Sequence, residues 1–175
     1  MIKYMLNKRY DVKDAEASKE FGEGDKREDY ADAWNNTGNV ILVGLPGSGK
    51  ANLAGLLAER TGLDVLNPTT AEEATQGFDW EGAIVVLNES LVADEVVQPL
   101  IHGAGKVFYL MVDSSILSER VTQREGGVDR EQLWRELSAR LAAMEPVFYA
   151  TLHFILQAAQ TPEDMVEDAL EKIAY

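Results

Sequence analysis

The chemistry this sequence offers is concentrated in one stretch, Gly44-Leu45-Pro46-Gly47-Ser48-Gly49-Lys50. Glycines let successive backbone N–H groups turn inward around an anion, and a helix opening at Lys50 adds the positive end of its dipole. A lysine at that point reaches the β- and γ-phosphates of a nucleotide. The pattern predicts a phosphate cradle for ATP or ADP formed by Gly44–Lys50, with Ala51 and Asn52 in the first helical turn. In such loops the residue after the lysine is Ser or Thr, whose hydroxyl ligates Mg²⁺. Here it is Ala51, so one protein ligand to the metal is missing and the need for Mg²⁺ stays open.

A second candidate is Glu89, which follows the apolar run Ile84-Val85-Val86-Leu87-Asn88. Carboxyl ends of such strands are where ligands bind in open α/β sheets. There Glu89 is placed to assist phosphoryl transfer beside Lys50, or to serve as a metal-shell acid. The competing reading is an ordinary carboxylate at the start of the next helix, which favours acids. Asp113 follows another strand and is expected to cap a helix. His102 and His153 lack the spacing of metal ligands, so no protein metal site is expected.

The elements that must position these groups follow from the hydropathy pattern. Short runs at Val40–Val43, Asp64–Leu66, Ala83–Leu87, Val107–Val112 and His153–Leu156 read as strands, several of them unbroken and apolar as expected for strands covered on both faces. Helices are expected at Lys50–Arg60, Leu91–Ile101 and Ser115–Arg124, from Asp129 to about Met144, and after Thr161-Pro162. Gly62 is placed to end the first of them, and Asp129 with Gln132 to form a capping box. Gly126-Gly127 reads as a turn between helices. Strands alternating with helices imply a parallel sheet with right-handed crossovers. Trp34, Trp80 and Trp134 are expected as packing anchors, since no basic surface accompanies them for stacking on bases.

Composition narrows the partners. The 175 residues hold 16 basic and 30 acidic side chains, a net charge of −14, and no cysteine. An acidic chain has no bulk electrostatic grip on nucleic acid or an anionic membrane, and without cysteine it has neither disulfides nor thiolate metal sites. Neither a secretory signal nor a membrane-spanning run is visible, and the expectation is a cytoplasmic protein. Residues 1–30 carry fifteen charges of both signs without apolar periodicity. The division expected is a charged extension over residues 1–37 and one domain over 38–175, the extension being suited to a protein partner or to self-association.

The run from Asn39 to Lys50, followed by Leu53-Ala-Gly-Leu-Leu-Ala-Glu-Arg-Thr-Gly-Leu63, resembles the opening of shikimate kinases. Weaker likeness continues through Gly105-Lys-Val-Phe-Tyr-Leu110, Leu117-Ser-Glu-Arg120 and Glu145-Pro-Val-Phe148, covering about residues 38–174. The resemblance implies a three-layer α/β P-loop NTPase fold with a five-stranded parallel sheet, and transfer of the γ-phosphoryl of ATP to the 3-hydroxyl of shikimate. It also implies that Arg120 and Arg124, one helical turn apart, contact adenine or phosphate. The departures cluster. The family's Asp-x-Asp after the second strand is matched by Asn67 and Thr69, and its Gly-Gly-Gly turn by Asn88-Glu89-Ser90. The span Asn67–Asn88 is too short for the family's substrate helices, so most of that subdomain is expected to be absent. The arginine before its Pro-Leu-Tyr is matched by Met144, and Arg124-Glu-Gly-Gly-Val128 lacks the lid arginine motif.

These departures remove the acceptor's partners and spare the phosphate loop. Two function classes follow. One is a nucleotide- or phosphate-binding protein that has lost shikimate phosphorylation and acts as a sensor or through a partner. The other is an active kinase or NTPase acting on another small hydroxylated acceptor, or on shikimate itself, in which Lys50 and Glu89 carry the chemistry.

Overall fold

The computed structural model describes residues 37–174, all within one compact unit. Trp34 and most of the charged extension lie outside the described residues. Five strands, β1 (Val40–Val43), β2 (Asp64–Leu66), β3 (Ala83–Val86), β4 (Lys106–Met111) and β5 (Phe154–Gln157), form one sheet in the order β2-β3-β1-β4-β5. Every pairing is parallel. The helices are α1 (Lys50–Thr61), α2 (Ala71–Phe78), α3 (Glu89–Val92), α4 (Gln98–Ala104), α5 (Ser114–Glu125), α6 (Arg130–Thr151) and α7 (Pro162–Ile173).

The strand order fixes the layers. From β1 the chain steps one way to reach β2, then the other way to β3, β4 and β5. Right-handed crossovers therefore put α1 on one face of the sheet and the helices between β2 and β5 on the other. The packing agrees: α1 lies against α7 and β1–β3, while α6 packs on α3, α4, α5 and β4. Because β1 passes to one face and its neighbours β3 and β4 to the other, a crevice opens at its carboxyl end.

The strands expected from apolar runs are present, shifted by no more than a residue at either end. Val40–Val43 are at most 1% exposed, as a central strand covered on both faces must be. At the amino edge, the buried Asn39 side chain accepts from Ala83 N (2.9 Å) and donates to the carbonyls of Trp80 (2.7 Å) and Ala104 (3.2 Å). One satisfied amide thus fixes the starts of β1, β3 and β4 together.

Four expectations need correction. The single helix expected over Leu91–Ile101 is two, α3 and α4, because the Asp94 carboxylate accepts from Val96 N (2.8 Å) and Val97 N (3.1 Å) and turns the chain between them. The helix expected to stop near Met144 runs through Pro146 to Thr151. Buried Phe148 stacks on Tyr109 with ring centroids 4.8 Å apart, and this packing outweighs the backbone bond that proline cannot make. A helix not expected at all, α2, is capped by Thr70, whose side chain accepts from Glu73 N. Finally, Trp80 (47% exposed) and Trp134 (44%) do not anchor the core.

Candidate functional site

The phosphate loop leaves β1 at Gly44 and enters α1 at Lys50. Ser48 N donates to Leu45 O (3.1 Å), closing a turn at the loop's tip. Gly49 is the N-cap of α1 in the left-handed region (φ 96°), which an L side chain enters only with strain. Gly44 is required for another reason: a Cβ there would lie 2.9 Å from the Ser48 hydroxyl and 3.1 Å from Leu110 O.

Two polar side chains face into this loop. The Lys50 ammonium folds back to donate to Gly44 O, and burial pushes its pKa down to about 8. The Ser48 hydroxyl is fully buried and has no hydrogen-bond partner among the described residues. A buried hydroxyl without a partner carries a desolvation cost of about 1–3 kcal/mol. A bound anion would give the hydroxyl an acceptor and the ammonium an alternative to Gly44 O. Ala51 and Asn52, exposed on the first turn of α1, add N–H groups that have no partner within the helix.

The arginines of α5 come to the same loop. Arg120 donates to Gly47 O (3.0 Å) and to Ala158 O beyond β5 (2.6 Å). Arg124 is exposed, and its Nη2 lies 4.0 Å from where a Cβ on Gly47 would sit. The resemblance gives both arginines the same expected role and does not distinguish them. One is bound to backbone carbonyls, while the other lies beside the loop.

Glu89 also reaches this edge. Val86 pairs with Leu42 and Leu87 N donates to Leu42 O (3.0 Å), so β3 and β1 leave the sheet side by side. The Glu89 carboxylate, three-quarters or more buried, is ion-paired with Arg140 of α6. Sequence reasoning missed Arg140. It stands one helical turn before Met144, and only the α3–α6 contact brings it to Glu89. Asp113 caps α5, accepting from Ile116 N (3.0 Å).

The positions that replace the family's acids have other partners or none. Thr69 donates from both N (2.8 Å) and Oγ1 (3.0 Å) to Glu73, and these bonds hold that carboxyl below its usual range. Asn67 is exposed beside an open cavity of about 290 Å³ walled by Pro68, Gln76 and Trp80. The imidazoles of His102 and His153 stack with centroids 3.9 Å apart, away from the loop, near the start of β4. No group of three or more metal-ligating side chains occurs among the described residues, and no described helix is long and apolar enough to cross a membrane.

With this geometry in place, comparison with known proteins gives a consistent likeness. No family model matches the chain. A shikimate kinase 2 from Pectobacterium carotovorum is 24% identical over 165 residues, covering 77% of this chain and 95% of that protein. The shikimate kinase of Bacteroides thetaiotaomicron superposes with a TM-score of 0.70 at 14% identity, over 78% of this chain and 98% of the other. A deoxyadenosine kinase from M. mycoides with bound dATP superposes with a TM-score of 0.54 at 13% identity, over 78% of this chain and all of its own. The chain is a divergent, shikimate-kinase-like P-loop protein with the α/β fold of small P-loop kinases.

Proposed function

We propose that this protein binds ATP or ADP by its phosphates at Gly44–Lys50 and does not phosphorylate shikimate. The observation that carries the binding half is the pair of inward donors, the Lys50 ammonium and the buried, partnerless Ser48 hydroxyl. An α- or β-phosphate in the loop satisfies the hydroxyl, and the ammonium swings from Gly44 O to the terminal phosphates. The N–H groups of Ala51 and Asn52 lie at the same helix end, and Arg124 faces the ligand from α5.

The donor set does not fit a magnesium ion held by protein. Ala51 offers a methyl group, Thr69 is bound to Glu73, and Glu89 is bound to Arg140. Mg²⁺ then arrives on the nucleotide's phosphates with its waters, a mode the ion readily adopts. The acceptor side is weaker still. Met144 replaces an arginine, and the span from Asn67 to Asn88 holds only α2 and β3 besides its turns. Phosphoryl transfer depends on aligning acceptor and phosphate, and misalignment alone forfeits several kcal/mol. The reading is of a cytoplasmic nucleotide sensor, or a protein that acts through a partner.

A second reading is favoured by the Glu89–Arg140 pair. Displaced from Arg140 by an acceptor, Glu89 becomes a base beside the loop for a hydroxyl other than shikimate's. Calorimetric titration of ADP and ATP, with and without Mg²⁺, tests the first reading. Lys50→Ala is expected to weaken binding about tenfold or more, the worth of one charge-assisted contact. Failure of the wild-type protein to bind either nucleotide ends it. Shikimate-dependent ADP release at ordinary kinase rates, about 1–100 s⁻¹, overturns the acceptor half. ADP release with another small hydroxylated compound establishes the second reading.

A further inference from the structure

We propose that Arg120 is a positioning residue that locks the Gly47–Ser48 peptide with its carbonyl pointing out of the phosphate cradle. This rests on the reading of Gly44–Lys50 as an anion site. The two ends of that peptide are held from opposite sides. Ser48 N donates to Leu45 O at 3.1 Å, and Gly47 O accepts from Arg120 Nη1 at 3.0 Å. A trans peptide is planar, with its N–H and C=O directed oppositely, so the two bonds fix one plane.

The lock matters because of what stands on either side of the plane. Gly47 has φ 88° and lacks the side chain that would forbid other orientations. Rotating the peptide turns its carbonyl oxygen toward the cradle, where it repels a phosphate. Arg120 opposes that rotation with a charge-assisted bond, and its second nitrogen anchors it at 2.6 Å to Ala158 O. Ala158 is itself tied to the sheet, its N–H donating to Met111 O at 2.8 Å. The brace therefore runs from the phosphate loop, through α5, to the turn between β5 and α7. Both terminal nitrogens of Arg120 already hold carbonyls, which sets it apart from Arg124, whose exposed guanidinium is beside the same loop. Loop order and turn order are coupled through one side chain.

The test uses the full chain and has one readout that needs no ligand. Amide hydrogen exchange of Arg120→Ala, checked for native circular dichroism, is expected to quicken at least tenfold at Ser48 and at Ala158. Amides within β1 and β3 stay at the wild-type rate. Affinities for inorganic pyrophosphate and for ADP are expected to fall together by about tenfold, and Arg120→Lys to recover part of both effects. Unchanged exchange at Ser48 overturns the proposal. So does loss of ADP affinity with pyrophosphate unaffected, which makes Arg120 a contact to the base. Should the alanine variant fail to fold, Arg120→Gln gives the same comparison. Wild-type protein that binds neither ligand refutes the phosphate-cradle reading instead, and exchange at Ser48 still decides whether Arg120 holds the loop.

Discussion

Lys50 carries a tension that can be measured. Its ammonium is held in the loop with a single carbonyl for company, and burial lowers its pKa from the ordinary 10.5 to about 8. The sign follows directly. Between about pH 8 and 10.5 the unfolded chain holds this proton more firmly than the folded one, so folding stability rises with pH across that window. Below about pH 8 both states are protonated, and the folded state bears the cost of the buried charge. Phosphate reverses the balance, because an anion beside the amine favours its charged form. Nucleotide binding at pH 8.5 is therefore expected to take up a proton, seen as a dependence of the calorimetric heat on the buffer's ionisation enthalpy. Affinity is expected to fall as pH climbs past about 8. A binding heat independent of buffer at that pH means that Lys50 does not meet the phosphates.

At the scale of elements, what the sequence made legible was whatever depends on local pattern. The five apolar runs, the cap at Asp113 and the Thr161-Pro162 start of α7 need no distant partner, and all are in place. The overrun of α6 has a tertiary cause. Pro146 sits inside α6 because Phe148 must reach Tyr109, and no nearby residue announces that contact. The α3–α4 break is local, made by the Asp94 carboxylate accepting from Val96 N and Val97 N. The helix α2 was readable, since Thr70 and Glu73 stand at capping-box spacing, but its mixed composition hid it. Within the site, the loop was legible from its glycines, whereas Arg140 beside Glu89 was not, because an ion pair between α3 and α6 leaves no mark on either segment. The glycines also give the element-scale prediction. The site of a Cβ on Gly49 has room, Met165 Cε being 3.8 Å away, so Gly49→Ala tests backbone strain without a clash. The left-handed N-cap is expected to cost about 1–2 kcal/mol in urea unfolding. It is also expected to lower ADP affinity, because α1 then begins with its first N–H groups misdirected. Wild-type stability in this variant shows that the loop does not need φ 96° there.

For the whole molecule, the sharpest question is where the folding unit begins. Residues 38–175 hold nine basic and twenty-one acidic side chains, so most of the negative charge lies in that stretch and not in the near-neutral residues 1–37. The core of buried apolar residues runs from Val40 to Ala169. One residue before that core still has structural duty. Thr37 Oγ1 donates to Ala104 O (2.9 Å), and Thr37 O accepts from Gly82 N (2.8 Å). Those two bonds join the entry to β1 with the entries to β4 and β3, alongside the buried Asn39. A chain beginning at Thr37 is therefore expected to unfold cooperatively with a midpoint close to that of the full protein, and to keep its ADP affinity within about threefold. A chain beginning at Asn39 loses these two long-range Thr37 bonds and leaves Gly82 N and Ala104 O without those partners. At about 0.5–1.5 kcal/mol for each net hydrogen bond, it is expected to be less stable by about 1–3 kcal/mol. For a domain of this size that lowers the midpoint by several degrees. The phosphate loop lies at the opposite end of β1, so ADP affinity is expected to be unchanged well below the melting temperature. Thermal unfolding of the two shortened chains beside the full one decides the matter. Equal midpoints for the two remove any role for Thr37, and a large loss already at Thr37 places the start of the folding unit within residues 1–36.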